Sequence, residues 1–141
     1  MTVPVAVVLA MLALNYVVYT WLDILNIRSI RANEKCVPQA FASFMDAETY
    51  AKSLSYTLDK TRFGIFEGTC NSIFLALLFA LWIIPTLFDF GIDIFGTSVL
   101  GQSITIVLIT VVLSVPSLPF ELYSQFVIEE EYGFNKSTLK L

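Results

Sequence analysis

Three consecutive carboxylates, Glu129, Glu130 and Glu131, form the densest group of chemically capable side chains in this sequence. Acids held close together can share a proton or bind a cation. Neighbouring residues of a helix point in different directions, so these three cannot converge on one ion without a special turn. Solvated or salt-bridged glutamates are therefore the simpler expectation. The chain contains no histidine, which excludes a zinc helix of the HExxH type as well as Ser-His and Cys-His pairs. There is no glycine-rich phosphate loop. Cys36 and Cys70 are far apart in sequence and are read as free structural thiols on or near the cytoplasmic face, where thiols stay reduced. This chain alone is thus expected to have no catalytic residue, no metal ligand and no cofactor.

The elements around these residues are set by composition. Of 141 residues, 57% are hydrophobic and only 14% charged, and the mean hydropathy is +0.77. This is an apolar excess that calls for lipid rather than water as solvent. Three runs carry it: Val3 to Leu22 is uncharged for 20 residues, Gly68 to Phe88 for 21, and Ile94 to Phe120 for 27. A hydrocarbon core of about 30 Å needs about 20 helical residues, so each run can cross once. None of the acids lies inside the apolar core of a span. The first run lacks the leading positive charge of a secretion signal and closes with Tyr19, Trp21, Leu22 and Asp23, which reads as an uncleaved anchor.

Orientation follows from the bases. Arg28, Arg31, Lys35, Lys52, Lys60 and Arg62 lie between the first two runs, and Lys136 and Lys140 follow the third; the hairpin at Asp89 and Asp93 carries acids only. Three crossings with the N-terminus outside and the long loop and C-terminus cytoplasmic place every base on one side. The expected fold class is an all-α integral membrane protein with three transmembrane helices at about 3–22, 68–88 and 97–117. A cytoplasmic loop at 23–66 and a cytoplasmic tail at 119–141 complete it. The net charge of -4 leaves no basic surface for nucleic acid.

Within the loop, Tyr50, Leu54 and Leu58 recur at spacings of four, predicting an amphipathic cytoplasmic helix capped by Ser43 or Asp46, with Pro38 at an earlier turn. Gly64 and Gly68 are expected to interrupt it before span two. Asn15 is expected to make an interhelical hydrogen bond. Trp82 and Pro85 suit the outer end of span two. Thr97, Gly101 and Thr105, and again Thr110 and Ser114, form a small-residue stripe expected to meet protein. Ser114-Val-Pro-Ser-Leu-Pro119 should kink the third helix.

Two stretches are more distinctive than composition. One is Tyr56-Thr-Leu-Asp-Lys-Thr-Arg-Phe-Gly64, continuing to Asn71 and preceded by Asp46, Glu48-Thr-Tyr50 and Lys52-Ser53. The other is Leu118-Pro-Phe-Glu-Leu-Tyr-Ser-Gln-Phe-Val-Ile-Glu-Glu-Glu-Tyr-Gly-Phe-Asn-Lys-Ser-Thr138. In order and over essentially the whole chain, they resemble the N-terminal domain of the type I CAAX prenyl proteases. The resemblance implies a parent of about seven helices around a water-filled chamber, an HExxH zinc site facing the cytoplasm, and endoproteolysis of prenylated CAAX sequences. It carries no catalytic or zinc-binding residue onto this chain, because the sequence closes at Leu141 before any such motif; zinc is implied only for the catalytic part. What it does imply is structural. Tyr56, Asp59, Lys60 and Phe63 would belong to the cytoplasmic helix, with Asn71 closing the first stretch. Pro119 and Tyr123 open the second, and Glu129, Glu130, Gly133, Phe134, Asn135 and Lys136 would form a junction beside the catalytic domain, Gly133 serving a tight turn.

The leading expectation is an N-terminal protease membrane domain that supplies chamber wall and cytoplasmic rim without cleaving bonds. Its partners would be the bilayer, a catalytic domain in the same or a separate chain, and a prenylated or other membrane-associated peptide. The alternative is a non-enzymatic three-helix membrane assembly or transporter subunit. Co-purification with a non-proteolytic partner would mark that alternative, and a downstream HExxH would exclude it.

Overall fold

In a computed structural model, residues 3–34, 37–38 and 45–137 are described; Cys36 and Ser43 lie outside them, as do Lys35 and Lys140. The regular secondary structure of the described residues is all helical. Helix α1 is Val3–Asn33, α2 Ala47–Ala80, α3 Ile83–Phe95 and α4 Val99–Ser114. A 3-10 turn at Val115–Ser117 leads to α5 (Leu118–Tyr123), a π turn (Ser124–Ile128) and α6 (Glu129–Glu131). Three helical stretches are long and apolar enough to cross a membrane: Val3–Asn33, Ala47–Ala80 and Val99–Glu131. The all-helical membrane class expected from the uncharged runs is the class found.

The exterior is apolar. Val3, Leu14 and Val99 are 78%, 66% and 84% exposed, whereas the buried hydrophobic residues among those described are Val5 and Ile128. In water such a surface would drive association; against acyl chains it is the ordinary exterior of a membrane protein.

The chain divides into two compact units, Met1–Tyr16 with Gly68–Leu118, and Val17–Glu67 with Pro119–Leu141. In the first, α3 packs on α4 through small residues. A methyl group added to Gly91 would collide with the side chain of Thr105, and one added to Gly101 with the carbonyl oxygens of Phe95 and Gly96. Thr105 is 2% exposed, and its hydroxyl donates to the Gly101 carbonyl at 3.0 Å, so a polar atom is buried at no hydrogen-bonding cost. Ser98 caps α4, its oxygen accepting from the Gly101 amide at 3.2 Å. The Thr97, Gly101, Thr105 stripe thus meets protein as expected at its last two positions, while Thr110 and Ser114 are exposed.

Four local expectations are corrected. The second apolar run does not continue past Ala80: Leu81 and Trp82 form a turn, with Trp82 at φ 63°, and α3 restarts at Ile83. Pro85 has no amide proton and its ring would strike the carbonyl one turn back, which an uninterrupted helix cannot accommodate but a helix start can. Asp89 and Asp93, expected in the hairpin between spans two and three, accordingly sit on a helix, α3. Gly64 and Gly68 do not interrupt anything, because α2 runs through both; a helical glycine costs only about 1 kcal/mol. Asn15 is exposed, and the hydrogen bond between helices is made one residue later, by the Tyr16 hydroxyl and Thr69 Oγ1 at 2.8 Å.

Candidate functional site

The second unit contains the densest polar and aromatic cluster, built on one face of the polar half of α2. Residues 56, 59, 60 and 63 recur at helical spacings, so their side chains share that face. The helix begins with Asp46, whose Oδ1 accepts from the Thr49 amide at 2.7 Å. That bond to an otherwise orphaned helical donor holds the Asp46 carboxyl below its ordinary value.

Opposite this face, α5, the π turn and α6 deliver their own residues. Lys60 Nζ lies 2.7 Å from Glu129 Oε1 and 2.8 Å from the Tyr56 hydroxyl, and that hydroxyl donates to the same Glu129 oxygen at 3.4 Å. Lys60 also stands 5.3 Å from the centroid of the Tyr56 ring. One helical turn away, the Tyr132 hydroxyl donates to Asp59 Oδ2 at 2.6 Å, while Arg62 Nη1 lies 3.3 Å from Asp59 Oδ1. The bond to the Asp59 carboxylate, reinforced by burial and by the negative charge of Asp59 and Glu131, pushes the Tyr132 phenol up to about 12.

Aromatic rings fill the space between these polar pairs. The Tyr56 ring has Phe134 at 4.7 Å and Tyr132 at 5.5 Å between centroids. Phe63 stacks on Tyr123 at 4.9 Å and 27°, with Phe120 at 6.2 Å. Phe63, Phe66, Pro119, Phe120 and Tyr123 line an open recess on this face.

Phe134 reaches Tyr56 because the chain reverses at Gly133. Gly133 has φ 72°; its amide donates to the Glu130 carbonyl at 2.9 Å, and the Phe134 amide to the Glu129 carbonyl at 2.8 Å. These are the paired bonds of a Schellman ending, in which the left-handed residue is glycine for want of a Cβ. The Asn135 side-chain amide donates to Glu130 Oε2 at 3.0 Å, and Lys136 is exposed.

Of the residues singled out in the sequence, Tyr56, Asp59, Lys60, Phe63, Pro119, Tyr123, Glu129, Glu130, Gly133, Phe134 and Asn135 are therefore brought into one joint. Asn71 is not: it lines a recess with Phe74, Leu75, Leu113 and Ser117 in the first unit. Tyr132, Phe120 and Phe66 belong to the joint although nothing singled them out. Their signal was weak but present: each is an aromatic one helical turn from a residue that was chosen. Glu129, Glu130 and Glu131 do not converge, and no group of three or more acids or thiols among the described residues could hold a metal ion. The described residues therefore contain no ligand set for the zinc that the resemblance implies.

Fold and joint define a membrane-embedded helical domain whose polar end is an aromatic and ion-paired joint. The family described as CAAX prenyl protease N-terminal, five membrane helices, matches residues 26–141, and the chain belongs to this family. It is similar to the CAAX prenyl protease 1 homolog of Homo sapiens, at 33% identity over 139 residues, covering 92% of this chain and 29% of that protein. The probable CAAX prenyl protease 1 of Schizosaccharomyces pombe is 34% identical over 118 residues, 74% of this chain and 25% of its own length. CAAX prenyl protease 1 of Saccharomyces cerevisiae is 26% identical over 121 residues, covering 79% and 27%. The chain thus spans less than a third of the length of these relatives. No solved structure matches it.

Proposed function

We propose that this chain acts as the N-terminal membrane domain of a CAAX prenyl protease-like zinc peptidase, providing chamber wall and cytoplasmic rim but no part of the bond-breaking centre. The observation that carries this reading is the joint. The two stretches that mark the family, one on α2 and the other at Leu118 to Lys136, are tied to each other by Lys60–Glu129 and Asp59–Tyr132. A segment fixed in this way presents Gly133, Phe134, Asn135 and Lys136 in a set direction, as a junction beside a catalytic domain in the same or a separate chain requires.

The bilayer spans in this reading lie at about 3–22, in the apolar half of α2 up to Ala80 and at about 97–117, with the N-terminus outside and residues 23–66 and 119–141 cytoplasmic. Helix α1 has 31 residues, about 46 Å at 1.5 Å per residue, so its last turns with Arg28 and Arg31 extend beyond a core of about 30 Å. Helix α3, at 13 residues, is about 20 Å long and cannot cross alone. The substrate would be a prenylated or other membrane-associated peptide, met by the domain as wall rather than as catalyst.

The test is reconstitution. The purified chain should hold no stoichiometric zinc and cleave no prenylated CAAX peptide, and co-expression with the remaining two thirds of a relative should restore cleavage. One tightly bound zinc per chain, or cleavage by the chain alone, would overturn the proposal.

A further inference from the structure

The π turn at Ser124–Ile128 is the unusual backbone of the second unit, and the geometry on either side of it explains what it does. The Glu129 amide donates to the Ser124 carbonyl, five residues back, where an α-helix would bond four back. Ile128, inside the turn, is 7% exposed.

An α-helix turns by about 100° per residue, so Tyr56, Asp59, Lys60, Phe63 and Phe66 of α2 fall within about 120° of one another. One side of α2 therefore receives everything the C-terminal segment offers: Phe120 and Tyr123 against Phe63, then Glu129 and Tyr132 against Lys60 and Asp59. An uninterrupted α-helix could not offer them. Counted at about 100° per residue, the midpoint of Glu129 and Tyr132 comes out about 180° from that of Phe120 and Tyr123. A π turn accommodates one residue more, which removes about 100° and leaves the two pairs about 80° apart, near enough to face one helix.

We propose that the π turn is a one-residue register insert, a rotary joint that brings the acidic end of the chain round to Lys60 and Asp59. Both polar bonds ride on the turn beyond it, so they form and break together. Straightening of that turn to α-helix without loss of a residue swings Glu129 and Tyr132 off α2, while Phe120 and Tyr123 stay in place. Deleting one residue from the turn, by contrast, removes the insert and leaves both faces in register.

The experiment is cysteine cross-linking of the full chain in detergent, with Cys36 and Cys70 replaced by serine. A near-side pair, Phe63→Cys with Tyr123→Cys, and a far-side pair, Tyr56→Cys with Phe134→Cys, are oxidised in three backgrounds: the parent turn, a deletion of Val127, and an alanine inserted after Phe126. The deletion should leave both closure rates within twofold of the parent. The insertion should leave the near-side rate within twofold and slow the far-side rate at least tenfold. Loss of either cross-link in the deletion variant overturns the proposal, as does a far-side rate indifferent to the insertion. The near-side pair reports in each case that the segment is folded against α2.

Discussion

The Tyr132 hydroxyl donates to Asp59 Oδ2 at 2.6 Å across 73 residues of sequence, and this bond, with Lys60–Glu129 beside it, ties the C-terminal segment to α2. Asp59 is held on its other oxygen by Arg62 at 3.3 Å, so the acceptor is oriented before the phenol arrives.

Ionising Tyr132 would place a phenolate against a carboxylate. Because its folded value is raised to about 12, the stability it contributes is complete below the free phenol's value of about 10 and is lost as pH climbs through about 12. Ultraviolet titration of wild type minus Tyr132→Phe should show a tyrosine that ionises near 12. A difference spectrum centred on 10 would show that the bond does not form.

Lys60 and Glu129 are 46% and 26% exposed on their side chains, so the pair is screened by solvent and is worth no more than about 0.2–1 kcal/mol. A double-mutant cycle of Lys60→Met and Glu129→Gln in detergent should return a coupling in that range. Coupling above it would show a drier site than the exposures imply.

Gly133→Ala should destabilise the joint by about 1–2 kcal/mol, the cost of a left-handed residue that carries a Cβ. Space is not the reason: the nearest atom to an added Cβ is Lys52 Nζ at 3.8 Å. The Asn substitution, which tolerates this conformation better, should cost less than Ala in the same unfolding measurement.

Gly91→Val should disrupt the α3–α4 pairing by about 1–3 kcal/mol through overpacking on Thr105. The double variant Gly91→Val with Thr105→Ala, which removes the two nearest Thr105 atoms, should recover part of that stability. Thermal unfolding in detergent reads both.

Asp46→Ala should fray the first turn of α2, as should acidification that protonates Asp46. Its carboxyl is held low by the Thr49 amide, so the cap is fully present above the unbonded carboxylate range and is lost only as pH falls below it. Amide exchange at Thr49 and Tyr50 should quicken in the variant and leave the middle of α2 unchanged.

Three long apolar helices were legible because twenty uncharged residues have few other uses, and the small stripe was legible because Gly101 and Thr105 fix how near another backbone can come. Pro85 was ambiguous, since proline is accepted in the first turn of a helix or just beyond its end; only the restart at Ile83 shows which place it occupies. Gly64 and Gly68 misled because a helical glycine costs only about 1 kcal/mol, too little to interrupt a helix as long as α2. The joint was half legible. Tyr56, Asp59, Lys60 and Phe63 share a helical face by arithmetic, but the opposing face cannot be counted from sequence across an unseen π turn. Tyr132, one helical turn beyond Glu129, shares its fate: both are brought to α2 by a rotation that regular spacing does not supply.

The Tyr56 ring lies between Phe134, Tyr132 and the Lys60 ammonium, and this confinement has an entropic consequence. A free tyrosine would surrender rotamers to meet Glu129, whereas here Phe134 and Tyr132 already restrict the ring. Its hydroxyl becomes a fixed post around which Lys60 and Glu129 arrange themselves, and added salt should weaken their attraction without loosening the post.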